Sequence, residues 1–273
     1  MARTKTTPRT RPCATRMRRS MGSCVALAAL ALSSGALANH TVLVEGEADY
    51  DGDGLIGADE DGDGDQVFGT INAGVAGVSD NGRVMIVTSG RFLESVRLEG
   101  AGVSVLEAAP GVDAVVEAFQ GGGDADANNA RQQAPGIVVH TDGSFPIEIR
   151  NLVSRNWTVG ILVRGESRVT IDDVRLDSNV NYGIRVRDQS KVVITNSQVN
   201  SSGYRKSGSL GPTPGGDIAP QPGNGIEFED SSSGLISFTT VAHSFGTGIM
   251  SNRKVRLLAN TVFDNDPNYD GFW

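Results

Sequence analysis

Short apolar segments recur between residues 147 and 273, and this recurrence limits the possible folds more than any other feature. Ile147-Glu148-Ile149, Val169-Thr170-Ile171, Val192-Val193-Ile194, Leu235-Ile236 and Val255-Arg256-Leu257 open successive units. A second segment follows each, opening on glycine plus an apolar residue: Gly160-Ile161, Gly183-Ile184, Gly225-Ile226, Gly248-Ile249 and, at the end, Gly271-Phe272. The first four glycines are 23, 42 and 23 residues apart, so one unit holds an insertion of 19. A polar position before the second segment also recurs: Asn156, Asn179, Ser202, Ser244 and Asn265.

The segments are too short and too weakly periodic for a helical solenoid. They are also too close together for βαβ units, whose crossovers need about a dozen residues. A coil of about 22 residues stacked on similar neighbours satisfies both limits. The expected fold is all-β, a right-handed parallel β-helix over residues 67–273, with Val and Ile pointing inward in columns.

These segments resemble the β-helix repeats of the pectin-lyase-like superfamily. The run Thr70-Ile71-Asn72-Ala73-Gly74-Val75, then Gly82 to Val87, then Gly90-Arg91-Phe92-Leu93-Glu94-Ser95-Val96 is similar to the opening of pectin-methylesterase-like β-helices. There a short capping helix precedes the first coil strand and a Gly-x-Tyr-x-Glu turn, and Phe92 stands where the Tyr would be. Val103 to Leu106 and Ile137 to Val139 continue the stack. The resemblance implies this fold and a relation to polysaccharide. It does not carry over an activity, because the superfamily's lyase, esterase and polygalacturonase catalytic segments are absent and one fold hosts many functions.

Residues 1–38 hold seven basic residues and no acid. A nine-residue apolar run, Cys24 to Leu32, leads to Ala36-Leu37-Ala38. This is the three-part secretory signal pattern, with cleavage expected near Ala38 and a secreted or periplasmic destination. The run is shorter than the roughly 20 residues a membrane span needs. Both cysteines, Cys13 and Cys24, lie in this segment, so the exported part relies on no disulfide.

Without that segment the chain carries 17 basic and 32 acidic residues, a net of −15. Such acidity argues against nucleic-acid binding, which depends on phosphate neutralisation. Ten of the acids fall between Glu45 and Asp65, in an acidic segment spanning residues 39–66. There Asp49, Asp51 and Asp53 alternate ahead of Gly54, Leu55 offers a carbonyl, and Glu60 closes the loop, which matches a Ca²⁺ loop of hard oxygen ligands. An overlapping run, Asp59, Asp61, Asp63 and Asp65, forms an incomplete second site. The alternative is a solvated acidic linker. The three histidines are scattered and offer zinc no ligand set.

One outward constellation has chemical potential: Arg150, Asp172, Asp173 and Arg175. Stacking places Arg150 beside Asp172 at about 4.8 Å. Such a group binds a cation, a uronate or a proton, or forms a plain surface salt bridge. Stacking likewise sets Arg185 on Glu227 and Arg187 on Glu229. An insertion rich in Gly, Pro and Ser carries Tyr204, Arg205 and Lys206, side chains suited to a sugar chain. The expected role is carbohydrate binding or surface scaffolding with Ca²⁺. A lyase on acidic glycans and a purely structural module are the competing readings. The sequence leaves the oligomeric state open.

Overall fold

The computed structural model describes residues 41–45, 68–78, 81–100, 102–118, 134–200, 202 and 223–271. The strands of these residues form three parallel sheets of eight, seven and seven, and within each sheet nearly every neighbour is the third strand on in the chain. The chain therefore winds as coils, each giving one strand to each sheet. The first three coils are Gly82–Ile86, Gly90–Phe92 and Val96–Glu99; Val103–Ala108, Ala114–Glu117 and Pro135–Thr141; and Pro146–Arg150, Val153–Arg155 and Val159–Gly165. The fourth and fifth are Arg168–Asp172, Arg175–Asp177 and Tyr182–Val186, then Lys191–Thr195, Gln198–Asn200 and Asn224–Phe228. The last two are Ser233–Ser237, Thr240–Ala242 and Ile249–Ser251, then Val255–Leu258, Thr261–Phe263 and Tyr269–Gly271.

The core is built of columns, as the repeat predicts. In the first sheet Val84, Leu106, Ile149, Ile171, Ile194, Ile236 and Leu257 are successive register partners. All but Leu257 are fully buried. In the third sheet Val96, Ile137, Ile161, Ile184, Ile226 and Ile249 stack in the same way and end on Tyr269. β-branched side chains suit this site because the pleat packs them against like neighbours above and below. Each buried one contributes about 1.5–3 kcal/mol.

The register corrects two readings of the repeat. Gly248-Ile249 stacks on Asn268-Tyr269, so Gly271 pairs with Ser251 and Gly271-Phe272 is not the last member of the glycine series. The recurring polar position begins at Trp157 rather than Asn156, because Arg155 pairs with Asp177 and places Trp157 beside Asn179. Trp157, Asn179, Ser202, Ser244 and Asn265 form an inward ladder at the bend before the third sheet. Asn179 accepts from Trp157 N–H at 3.1 Å, and Asn265 accepts from Ser244 N–H at 2.8 Å. The stacked glycines exist to admit this ladder: a Cβ on Gly160 would lie 2.7 Å from Asn179 Nδ2. Asn156 instead takes a left-handed turn conformation and donates to Glu117 at 2.8 Å.

The first coil is covered by a helix, Ile71–Gly77, which packs on Thr41–Val44, Gly82–Ile86 and Val96–Glu99. Thr70 caps it, accepting from Ala73 N–H at 3.1 Å. The Glu of the Gly-x-Phe-x-Glu turn, Glu94, accepts from Ile71 and Asn72 N–H at 2.6 and 3.0 Å. The turn motif therefore satisfies donors that the helix start leaves open. Thr41–Val44 pairs in parallel with Gly82–Ile86, so the first sheet begins ahead of the acidic tract. Glu45 N–H donates to Phe68 O at 3.1 Å and Phe68 N–H to Leu43 O at 3.2 Å. The chain thus leaves at Glu45 and returns at Phe68 through one closed base.

Candidate functional site

The bend between the first and second sheets carries a column of left-handed residues: Asn151, Asp173, Asn196, Phe238 and Ala259, with φ of 50–53°. Asn and Asp tolerate this conformation better than other side chains do. Beside the first three runs a shallow groove of about 190 Å³. Its polar wall is Asp113, Asn151, Asp173, Arg175, Asn196 and Gln198, and its apolar floor is Val112, Leu152, Val153 and Val174. It crosses the second to fifth coils along the helix axis.

The structure divides the predicted constellation. Asp173 and Arg175 line the groove, and both are exposed. Arg175 Nε donates to Asp177 at 2.6 Å, which fixes the guanidinium and leaves its terminal nitrogens free. Arg150 and Asp172 are register partners, as expected, but they do not pair. Arg150 turns back to Glu107 and to Glu148, the latter at 3.2 Å. Asp172 turns forward, accepting from Thr195 Oγ1 at 2.5 Å and Asn196 Nδ2 at 2.8 Å. Arg150 finds its partners on its own strand and one coil back, and Asp172 one coil forward, a choice that the stacking distance alone does not decide. The expected Ca²⁺ ligands Asp49, Asp51, Asp53, Leu55 and Glu60, the second run Asp59 to Asp65, and Tyr204, Arg205 and Lys206 lie outside the described residues. Among the described residues no three His, Cys, Asp or Glu side chains gather as a metal site, and no helix is long and apolar enough to cross a membrane.

Two carboxylate clamps escape sequence reasoning. Glu107 in the second coil sits between Arg83 of the first, at 3.0 Å, and Arg150 of the third. Glu117, also in the second coil, sits between Arg91 at 2.6 Å and Arg155 at 2.8 Å. Burial pushes the Glu117 carboxyl up, but Arg155 and Arg91 together hold it below its ordinary range. The only trace in the sequence is Arg and Glu at outward positions, spaced irregularly because the second coil carries residues 119–133.

The third sheet rearranges the other expected pairs. Arg187 reaches Glu229 at 3.1 Å, as stacking predicts. Arg185 is register partner to Glu227 yet donates from Nε to Glu229 at 2.6 Å, with its guanidinium 4.5 Å above the Tyr182 ring. Glu227 is left nearly buried, accepting from Asn224 Nδ2. Burial and the hydrogen-bonded carboxyl of Glu229 push it up to about 7. The Glu227–Glu229 pair thus holds one proton across the acidic range.

The groove offers acceptors at Asp113 and Asp173, amides at Asn196 and Gln198, and donors at Arg175, over an apolar floor. Such a surface carries both donors and acceptors for hydrogen bonds with a polar ligand. Among the described residues that line it, none is a nucleophile paired with a base. A family model described as a right handed beta helix region matches residues 118–262, just over half of the chain. The chain belongs to the right-handed β-helix family. The matched residues of this β-helix protein run from the end of the second sheet's strand in the second coil into the seventh coil. No curated protein matches the chain. Among solved structures, the crystal structure of an alginate lyase from Paenibacillus sp. str. FPU-7 aligns with a TM-score of 0.43 at 12% identity, covering 74% of this chain and 72% of that one.

Proposed function

We propose that this β-helix protein is an exported saccharide-binding protein that holds a sugar chain along the bend between its first and second sheets. The groove is the observation that carries this reading. It is polar, lies along the stacking axis, and crosses four coils, so it presents repeated contacts to a repeated ligand. Asp173, Asn196 and Gln198 bind hydroxyls, and Arg175 adds a fixed donor. Glycan-array and calorimetric titrations of wild type and Gln198→Ala with Arg175→Ala test it. Binding of an oligosaccharide that the double variant loses supports it. A blank array, or binding the variant retains, overturns it.

Two further parts of the reading rest on the sequence. The Asp49 to Glu60 loop binds Ca²⁺, and its closed base between Glu45 and Phe68 favours a loop over a linker. Ca²⁺ then raises the melting temperature and a chelator lowers it. The N-terminal segment directs export, and the mature N-terminus read by mass spectrometry falls near Asn39. A lyase on acidic glycans is the second reading. It is tested in the same titrations by the ultraviolet absorbance of an unsaturated uronate product.

A further inference from the structure

The seventh coil presents three strand edges on one end of the β-helix. Among the described residues, Val255–Leu258, Thr261–Phe263 and Tyr269–Gly271 are each the last strand of their sheet. An edge of this kind is a template for a further strand. Its inward Val255, Leu257 and Val262 are only partly buried, and Leu258, Phe263 and Tyr269 are exposed. The sixth coil fixes which way each backbone group points, because alternate residues of a parallel strand bond to the same neighbour. Phe238 N–H donates to Leu258 O at 3.1 Å, Thr261 N–H to Thr239 O at 3.0 Å and Ile249 N–H to Asn268 O at 2.9 Å. Leu258, Thr261 and Asn268 therefore face the sixth coil. Leu257, Val262 and Tyr269, one position along on each strand, face away from it.

A second copy of the chain fits these edges in one orientation. A coil advances by one strand spacing per turn, about 4.8 Å. Two such ends meet at one strand spacing on all three edges only through a two-fold axis crossing the middle strand, Thr261–Phe263. An axis through either other strand leaves a gap or an overlap of about one coil. The middle axis lays Thr261–Phe263 antiparallel on itself, and Val255–Leu258 antiparallel on Tyr269–Gly271 of the second copy. Matching inward to inward residues sets Val262 on Val262 and Leu257 on Tyr269. These are the residues whose backbone faces the copy, so each makes the close antiparallel pair that exchanges two hydrogen bonds. The same register sets the outward Arg256 on Asp270 of the second copy, twice by symmetry. Within one chain these two charges lie on different sheets and are exposed; Arg256 stacks on Leu235 and Asp270 on Met250. Asp264 and Asp266, in the bend of the seventh coil, meet the uncharged Ala259-Asn260 bend of the copy and no like charge.

We propose that the seventh coil is an interface for a second copy of this chain, giving an end-to-end two-fold dimer with Arg256 paired to Asp270 across it. The groove lies on the second to fifth coils, so it stays open in the dimer and the proposal does not depend on it. One coil end is a small interface, with a dissociation constant on the order of 10–100 µM. Dilute protein is therefore monomeric with its last coil open.

Sedimentation velocity of the full chain from about 1 to about 500 µM tests it. A monomer–dimer equilibrium appears, and small-angle scattering gives the dimer about twice the length of the monomer. Arg256→Asp and Asp270→Arg each weaken dimerisation at least about tenfold, because each sets like charges together twice. The two substitutions in one chain restore it to within about threefold. Lys191→Asp, at an exposed position on the fifth coil, changes it less than about twofold. If one single variant fails to fold, the other and the double variant still decide. The proposal is overturned by a chain that stays monomeric throughout, the result expected if another segment of the same chain covers this end. It is equally overturned by a side-by-side dimer of unchanged length, by single variants that dimerise as the wild type does, or by a double variant that is not restored.

Discussion

The second coil and the seventh are built from the same repeat and differ in nearly every physical respect. The second has a coil on each side. Its Leu106, Val116 and Val139 are fully buried, and its Glu107 and Glu117 are each held by arginines from both neighbours. Among the described residues, the seventh has a neighbour on one side only. Its inward Val255, Leu257 and Val262 are partly exposed, and Leu258 and Phe263 are 54% and 40% exposed. Across its interface with the sixth coil, His243 lies 3.8 Å from Asp264. A repeat is therefore not a unit of stability. The interface between repeats is, and a coil with one interface has about half the burial of a coil with two.

Truncating one column at two heights separates the two coils by the largest effect. Ile149→Ala, in the middle of the first sheet's column, costs about 2–5 kcal/mol. Leu257→Ala, at the foot of that column, costs less than about 1 kcal/mol because its site is already open. Urea unfolding measures both, and equal costs would mean that the last coil is covered. Gly183→Ala tests the glycine series. Its Cβ would lie 2.3 Å from Val199 Cγ1 and 2.6 Å from Gly225 O, so it costs about 1–3 kcal/mol. Gly90→Ala, which meets nothing within 4 Å, serves as the control.

The clamps give the next effect. Glu117→Gln costs about 1–2 kcal/mol at pH 7, since two arginines lose their shared acceptor but keep water access. Its folded pKa is depressed below 4.5. The wild-type clamp therefore contributes above that pH and fades as pH falls through the folded value, whereas Glu117→Gln lacks this acid-dependent loss. Thermal melts from pH 3 to 7 measure the difference.

At the other end of the molecule, Phe238 holds a left-handed turn, φ 52°, with its side chain 61% exposed. Asn occupies the equivalent bend position at Asn151 and Asn196. Phe238→Asn stabilises the sixth coil by about 1 kcal/mol, read as a rise in the urea midpoint.

The smallest effect contrasts Glu227 with the clamped acids. Glu227 has arginine on one side only and Met250 on the other. Its pKa rises to about 7. Stability is therefore lost as pH climbs from the ordinary carboxyl value through 7, the reverse of Glu117. Glu227→Gln keeps both hydrogen bonds without the charge, so it raises the melting temperature by a few degrees at pH 8.5 and leaves it unchanged at pH 5.

The columns of the core were legible because the inward positions carry Val and Ile at a repeated spacing. The helix over the first coil was legible through the resemblance of the Thr70 to Val96 run, whereas the left-handed turns at Asn151, Asp173 and Asn196 emerge only in the structure. The groove was legible only in part. Asp173 and Arg175 belong to the outward constellation singled out from the sequence, and both line the groove. Gln198 and Asp113, which complete it, sit one and two coils away and show no pattern of their own.

The sequence alone determined the stack of coils, because burial of an alternating apolar face has one economical solution at this period. Only the tertiary structure decided which charge meets which. Outward side chains of Arg and Glu are long enough to choose between the coil above, the coil below and the next position along. Arg150 therefore chose Glu107 over Asp172, and Arg185 chose Glu229 over Glu227. Apolar burial is a property of each position, and it can be read from the chain. Charge pairing is a property of the set of neighbours, and it exists only once the coils are in place.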